Sequence, residues 1–380
     1  MPMRGNPASD VGHPDPGKLF APLVVNPLRG LAFCYGDPFC RNPDPGNPNA
    51  FRRAGRNPRP AACPGPGGSP LFPPMTPPAH RPISAQTRLC AVFGAPIRHS
   101  ASPAMHNAGF ATLGLDWRYV ACEVAPERLM EALVGARSLG FCGVNLTVPH
   151  KLLALPMMDV LDDSAITWGA VNTVVFEAED PEGMWVPVGR QREIRGPVRM
   201  RGHNTDADAL VQSLRDDLAI EPRGARVLLL GTGGAGRAAA LRLADEGVNN
   251  LWLLNRTESK AQELADEIAE RFPAVEVQTG LPDSDVEIIV NATSLGLKST
   301  DPLPLPTDLF PLRRADGVYD MIYRPAETPL LRAAREAGCR TANGTGMLLH
   351  QGAAAFTLWT GCPAPLEAMR AALVSELHGH

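Results

Sequence analysis

Arg226-Val-Leu-Leu-Leu-Gly-Thr-Gly-Gly-Ala-Gly-Arg-Ala-Ala-Ala240 is the stretch from which the fold is read. Val227 to Leu230 is a short apolar run of the kind that forms a buried strand. Gly231-x-Gly233-x-x-Gly236 follows at once, and an alanine-rich run opens behind it. A lone G-x-G-x-x-G carries little weight, but between a strand and a helix it is a dinucleotide fingerprint. Gly231 permits the tight turn, Gly233 lets a pyrophosphate approach the backbone, and Gly236 allows close helix–sheet contact. The helix start supplies free amides and the positive end of its dipole to the phosphates. The whole turn, Gly231, Thr232, Gly233, Gly234 and Ala235, is therefore a candidate cofactor site.

The next strand ends on Asn255-Arg256-Thr257, with Lys260 three residues further on. A chain selecting NAD carries Asp or Glu at this point, to bind the ribose hydroxyls. An arginine, a lysine and two short polar groups suit a 2′-phosphate instead, because a guanidinium matches phosphate oxygens bidentately. Arg256 can also lie flat on the adenine. The plainer reading of Arg256 is an exposed helix-start arginine; its position favours NADP.

Working outward, strand and helix signals alternate from Leu89 to the C-terminus. Strands are expected at Leu89–Gly94, Arg118–Val124, Gly143–Val148, Ala170–Phe176, Val227–Leu230, Leu251–Leu254, Glu287–Asn291 and Gly317–Tyr319. Helical segments between the last four imply parallel sheet with crossovers. Ser102 reads as the N-cap of a helix with Pro103 in its first turn, and Thr205 as the cap of a helix to about Leu218. Helical turns over Lys151–Val160 are expected to break near Pro156. Two helices, Gly346–Trp359 and Leu366–His378, close the chain. The fold class is α/β with two domains: a substrate domain over 86–205 completed by 342–380, and a Rossmann-like NADP-binding domain over 206–341. Arg190, Arg192, Arg195, Arg199 and Arg201 crowd an elaborated hairpin at 177–201, which reads as a solvated basic loop.

Composition bounds the rest. The chain has 380 residues, 44% hydrophobic, with a net charge of −4, a balance that predicts neither nucleic-acid nor membrane affinity. About half of the 39 prolines lie before residue 83, where no helix or strand period is sustained. Residues 1–85 are therefore expected to be disordered. The eight cysteines form no C-x-x-C pair or zinc-like cluster, so reduced thiols, a cytoplasmic setting and no metal are expected. Lysine occurs only at Lys18, Lys151, Lys260 and Lys298, which draws attention to each.

Five further segments suit a small polyhydroxylated acid. Ser100-Ala-Ser102-Pro sets two hydroxyls before a helix, where the dipole favours a carboxylate. Gly143-Val-Asn-Leu-Thr147-Val-Pro-His-Lys151 ends a strand with a hydroxyl and an ammonium. Gly169-Ala-Val-Asn172-Thr puts an amide inside a strand. Asn204-Thr-Asp206 places a carboxylate at a helix start, and Gly344-Thr-Gly-Met-Leu-Leu-His-Gln351 an amide on a helix. Each has a plain structural reading, as a cap or an exposed polar residue. Together and in this order, with the NADP signature among them, they resemble the shikimate dehydrogenase family over residues 89–375.

The resemblance implies that Ser100 and Ser102 hold the substrate carboxylate, while Thr147, Asn172 and Gln351 bind its hydroxyls with Tyr323 nearby. It implies that Lys151 and Asp206 are the catalytic pair, with Asp206 also touching substrate. It places Asp163, Asn255, Arg256, Thr257, Lys260, Met321 and Gly344 along the cofactor beside Gly231–Ala235. The implied activity is the reversible NADPH-linked reduction of 3-dehydroshikimate, with Lys151 as proton donor and no metal. The partner is a small molecule, and the chain is expected to be a monomer or homodimer. Quinate or aminoshikimate dehydrogenase keeps the same chemistry; a non-catalytic NADP-binding regulator would be expected to lack Lys151 or Asp206. The chain departs from the family in Ala207-Asp208-Ala209, where a glycine is usual, in the length of 177–201, and in the proline-rich head. Residues 1–74 are expected to be dispensable, with Met75 a candidate start. A chain begun at Met75 should keep its thermal midpoint within about 2 °C by calorimetry, since a disordered head buries little area; a larger loss would contradict this.

Overall fold

The computed structural model describes residues 82–379. The expectations for residues 1–74, for Met75, and for Cys34, Cys40 and Cys63 lie outside the described residues. The first sheet is built from β1 (Arg88–Gly94), β2 (Trp117–Glu123), β3 (Gly143–Leu146), β4 (Val160–Leu161), β5 (Thr173–Glu179), β6 (Trp185–Pro187) and β7 (Val198–His203). Its order is β2-β1-β3-β5-β7-β4, with β6 on β5. The apolar run Cys90–Phe93 makes β1 a buried strand between two neighbours. Helices α1 (Ser102–Thr112) and α2 (Leu129–Ser138) carry the crossovers that keep β1, β2 and β3 parallel. Beyond β3 the strand direction changes. β5 runs antiparallel to β3, and β7 antiparallel to β5. The hairpin excursion between β5 and β7 carries no crossover helix, so the chain simply returns.

The short helices α3 (His150–Leu153) and α4 (Asp163–Trp168) precede β4 and β5, and β7 leads into α5 (Asp206–Leu218). Ala207, Leu210, Leu214 and Leu218 recur at helical spacing and are buried, while Asp208 and Gln212 face outward. At its far end α5 closes on Ala219 at φ +51°, and the Arg340 guanidinium donates to the freed carbonyls of Leu218 and Ala219 at 2.9 and 3.0 Å.

A second sheet of β8 (Arg226–Leu230), β9 (Asn250–Leu254), β10 (Glu276–Thr279), β11 (Val286–Asn291), β12 (Ala315–Asp320) and β13 (Arg340–Asn343) is parallel throughout. Its order, β10-β9-β8-β11-β12-β13, is that of a doubly wound Rossmann-like sheet. Val227 and Leu229 enter one core, Leu228 and Leu230 another on the opposite face, as strand alternation requires. Helices α6 (Gly234–Glu246), α7 (Glu258–Arg271) and α8 (Pro329–Glu336) cover it. β10 and β13 were not expected. Both are edge strands with polar residues, Glu276-Val-Gln-Thr and Arg340-Thr-Ala-Asn, that need no continuous apolar run.

The chain then crosses back. α9 (Thr345–Thr360) and α10 (Leu366–His378) bury Leu349, Phe356, Trp359, Met369 and Leu373 in the core of the first sheet. The Trp359 indole donates to the Val174 carbonyl at 3.1 Å and occupies the place a side chain at Gly143 would need. Arg237 and Arg271 also tie the two sheets together, donating to the terminal carbonyls of α4 at Trp168 and Thr167.

Three local expectations are corrected. Ser102 is the first helical residue of α1 and makes no side-chain cap; the Ser100 hydroxyl accepts its amide instead, at 3.3 Å. Thr205 precedes α5 without capping it. Asn204 does so, its carbonyl oxygen accepting the Asp206 and Ala207 amides at 3.0 and 3.2 Å. The arginine run is not uniformly solvated: Arg199 and Arg201 pair with buried Glu177, Arg201 also with Asp162, and Arg190 donates to the Thr357 and Leu358 carbonyls. Arg192 and Arg195 fit the solvated picture, both exposed, with Arg195 pairing with exposed Glu193.

Candidate active site

A cavity of about 350 Å³ opens where the C-terminal ends of β8, β11 and β12 face the loops after β1 and β3. The walls from the first sheet are Ser100 and Ser102 at the start of α1, and Thr147 and Lys151 after β3. Asp206, the first residue of α5, closes one side, and Gln351 reaches in from α9. Ala235, Met321, Tyr323 and Gly344 come from the second sheet. A second, smaller space of about 250 Å³ shares Lys151, Asp206, Ala235 and Met321 and is walled by α6. The residues brought together thus come from segments up to about 250 positions apart in the chain.

The Lys151 ammonium donates to Asp206 Oδ2 at 2.7 Å, with the carboxylate the more buried partner. Asn172 lies just before β5 rather than within it, and is buried behind the cavity. Its carbonyl oxygen accepts the Thr205 amide at 2.7 Å, and its amide donates to Thr205 Oγ1 at 2.9 Å and to Gln351 Oε1 at 3.5 Å. Burial pushes the Tyr323 phenol up, with the neighbouring Arg324 charge opposing, so Tyr323 is a neutral hydrogen-bonding group. Asp320 is buried behind it; desolvation raises its carboxyl while bonds from Thr328, Ile322 and Asn291 work against that rise.

The cofactor half fits a dinucleotide on steric grounds. Gly231 sits at φ +92°, and a Cβ there would fall 2.7 Å from Thr293 Cγ2. A Cβ on Gly236 would fall 2.0 Å from the Gly231 carbonyl oxygen, whereas Gly233, at the start of α6, faces open space. Thr232 donates its amide to Asn255 Oδ1 at 3.2 Å, and its buried hydroxyl has no partner among the described residues. Asn255 also donates to the Thr257 carbonyl at 2.8 Å, joining the glycine turn to the start of α7. Arg256 and Lys260 are exposed beside it and enter no ion pair among the described residues. No cluster of metal-ligating side chains occurs among the described residues.

Asp163 is not brought to this site. It is exposed on the first turn of α4 and lines neither space, while its neighbour Asp162 caps α4 and meets Arg201 and His203. Two groups that line the cavity were missed in the sequence. Asn145 lies within the quoted Gly143–Lys151 segment. Thr293 and Ser294 belong to Asn291-Ala-Thr-Ser294, a polar cluster directly after an apolar strand, which was a readable signal.

A glycine turn at the switch point of a doubly wound sheet, facing an ion-paired lysine across a cleft, defines a two-domain dinucleotide-linked enzyme. Residues 92–174 match the shikimate dehydrogenase substrate binding domain, 213–297 the shikimate/quinate 5-dehydrogenase family, and 344–374 the shikimate 5′-dehydrogenase C-terminal domain. The chain is 42% identical over 295 residues to the shikimate dehydrogenase (NADP(+)) of Moorella thermoacetica, covering 76% of this chain and 92% of that protein. A crystal structure of a shikimate dehydrogenase with NADP+ superposes with TM-score 0.67 at 34% identity, covering 79% of this chain and 99% of that one. The quinate dehydrogenase of Corynebacterium glutamicum with NAD gives TM-score 0.64 at 31% identity, covering 76% and 99%. The chain belongs to the shikimate dehydrogenase family.

Because the Gly231 carbonyl is backbone and cannot swing aside, Gly236→Ala must displace the turn. The expected outcome is a dinucleotide dissociation constant raised about tenfold or more, measured by fluorescence titration, which is 1.4 kcal/mol or more of lost binding. Unchanged affinity would contradict this account of the turn.

Proposed function

We propose that this chain catalyses the reversible NADP-linked interconversion of 3-dehydroshikimate and shikimate, a step of aromatic amino acid biosynthesis by way of chorismate. The observation that carries the reading is the Lys151–Asp206 pair, 2.7 Å apart at the wall of a hydroxyl-lined cavity that also reaches the glycine turn. We take the substrate lobe to be 86–205 completed by 342–380 and the nucleotide lobe 206–341. The free thiols among the described residues favour a cytoplasmic setting, and no described helix is long and apolar enough to cross a membrane. Monomer and homodimer both suit the reading.

The nicotinamide, when bound, supplies or accepts the hydride. The protein's part is proton transfer and placement. Lys151, as ammonium, donates a proton to the oxygen developing negative charge at the reduced carbon, and takes it back in the oxidising direction. Asp206 orients the ammonium and accepts from the hydroxyl beside the reacting centre. Ser100 and Ser102 hold the carboxylate at the start of α1, and Thr147 and Gln351 the ring hydroxyls. Asn172 acts through Thr205 and Gln351, to which it is already bonded. Arg256 and Lys260, exposed and without ion pairs among the described residues, meet the 2′-phosphate. The likeness to a quinate dehydrogenase that was solved with NAD favours a second reading, in which quinate is the substrate. The basic pair after β9 weighs against NAD.

Initial rates with shikimate and quinate against NADP+ and NAD+ test the assignment directly. Shikimate with NADP+ is expected to give the highest kcat/KM; absence of turnover with either acid would overturn it. Replacing Lys151 by Ala should lower kcat about 10²–10⁴-fold with little change in NADPH affinity. Near-parental turnover would remove Lys151 from the chemistry. Arg256→Gln should raise the KM for NADPH about ten- to a hundredfold while leaving that for NADH close to unchanged, because only NADPH presents the phosphate. Equal effects on both would locate the 2′-phosphate elsewhere.

A further inference from the structure

Beneath the carboxylate end of the cavity lies a tyrosine to which no role has been given. Tyr119 is almost wholly buried on β2, and none of its atoms lines the cavity. Its position is nonetheless constrained from every side. Asn107 on α1 holds its backbone in both directions, accepting the Tyr119 amide and donating to the Tyr119 carbonyl, each at 2.9 Å. The His106 ring stacks on it at 4.2 Å with planes 6° apart. Burial lowers His106 to about 3, so that ring is neutral at ordinary pH and acts as a flat packing surface.

The phenol carries the hydrogen bond from this buried assembly to β3. Asn145 uses its amide on the Asn172 carbonyl at 3.2 Å and the Thr173 hydroxyl at 3.0 Å. Its carbonyl oxygen must therefore face Tyr119, which donates to it at 2.7 Å. Asn145 is a wall of the cavity, and Asn107, which clasps Tyr119, stands on the helix that begins at Ser102, another wall.

We propose that Tyr119 is a positioning residue for the substrate: clasped by Asn107 of α1, its phenol fixes the Asn145 side chain of β3 at the cavity wall before substrate arrives. The proposal rests on the functional reading above. Removing the phenol oxygen leaves the Asn145 carbonyl buried without a donor, and the amide is then free to turn into the cavity. The effect falls on substrate binding and spares the proton-transfer pair, which is built on α3 and α5.

Tyr119→Phe deletes a single oxygen and keeps the stack on His106. The expected result is a KM for shikimate raised about five- to thirtyfold, with kcat and the KM for NADP+ within about twofold and the melting temperature within a few degrees. Asn145→Ala is then combined with it. If the phenol acts through Asn145, the KM effect of the double variant falls well short of the product of the single effects. A purely structural role predicts independent factors, or a loss of kcat and thermal stability together, and either result overturns the proposal. An unchanged KM in Tyr119→Phe, with the parent active on shikimate or quinate, sinks the positioning role and leaves the functional reading intact. A parent inactive on both acids sinks the functional reading, and the positioning role with it.

Discussion

The 2.7 Å contact between Lys151 and Asp206 is held by backbone on both sides, and the rest of the cleft is arranged around it. The Lys151 carbonyl accepts the Val171 amide, which fixes α3 beside the segment leading into β5. One residue on, Asn172 accepts the Thr205 amide, and Asn204 in turn caps the helix that begins at Asp206. Three short hydrogen-bonded steps therefore connect the lysine to the carboxylate without relying on either long side chain. An ion pair with a partly exposed lysine adds little stability by itself. Its value lies in orientation, since an ammonium aimed by a fixed carboxylate has few rotamers left to lose when substrate enters.

The nucleotide end obeys a different constraint, that of space. Gly231 and Gly236 are close enough that a single methyl group on the second would meet the carbonyl of the first. This crowding places the start of α6 at the junction of β8 and β11, where the order of the parallel sheet reverses and a crevice opens. A buried group, Asn291–Asp320–Thr328, shapes the neighbouring loops after β11 and β12, and those loops carry Thr293, Met321 and Tyr323 to the cavity. Buried polar groups of this kind cost free energy unless every member is paired, and here each carboxylate oxygen of Asp320 accepts at least one bond.

The two lobes meet through helices and not through a shared sheet. α5 rests on both α6 and α9, and α9 carries Gln351 from the second sheet into the core of the first. The arginines that were read as a solvated loop partly serve the same framework. Arg199 and Arg201 neutralise buried Glu177, and Arg237 and Arg271 satisfy the end of α4. An arginine-rich surface in a chain with so few lysines is thus used for bidentate and carbonyl contacts, for which the guanidinium geometry is suited.

What the sequence determined alone was whatever is decided by neighbours along the chain. The strand–glycine–helix order at 226–240, the missing acid at Asn255, the apolar period of α5 and the lysine four residues after Thr147 are local features, and each came out where it was read. The edge strands β10 and β13 escaped because an edge needs only half the burial that makes a strand visible. Tertiary structure decided the pairings. Ser100, not Ser102, accepts the first amide of α1; Asn204, not Thr205, caps α5; and Asp162, not Asp163, turns inward. In each case a second hydrogen-bonding side chain stands within two positions of the one that was read, and only the direction of the backbone on arriving at the helix separates them. Tyr119 and Asn145 were beyond any local reading for a stronger reason. Their partners lie 26 and 27 residues away, and a hydrogen bond across that separation exists only after the first sheet has assembled.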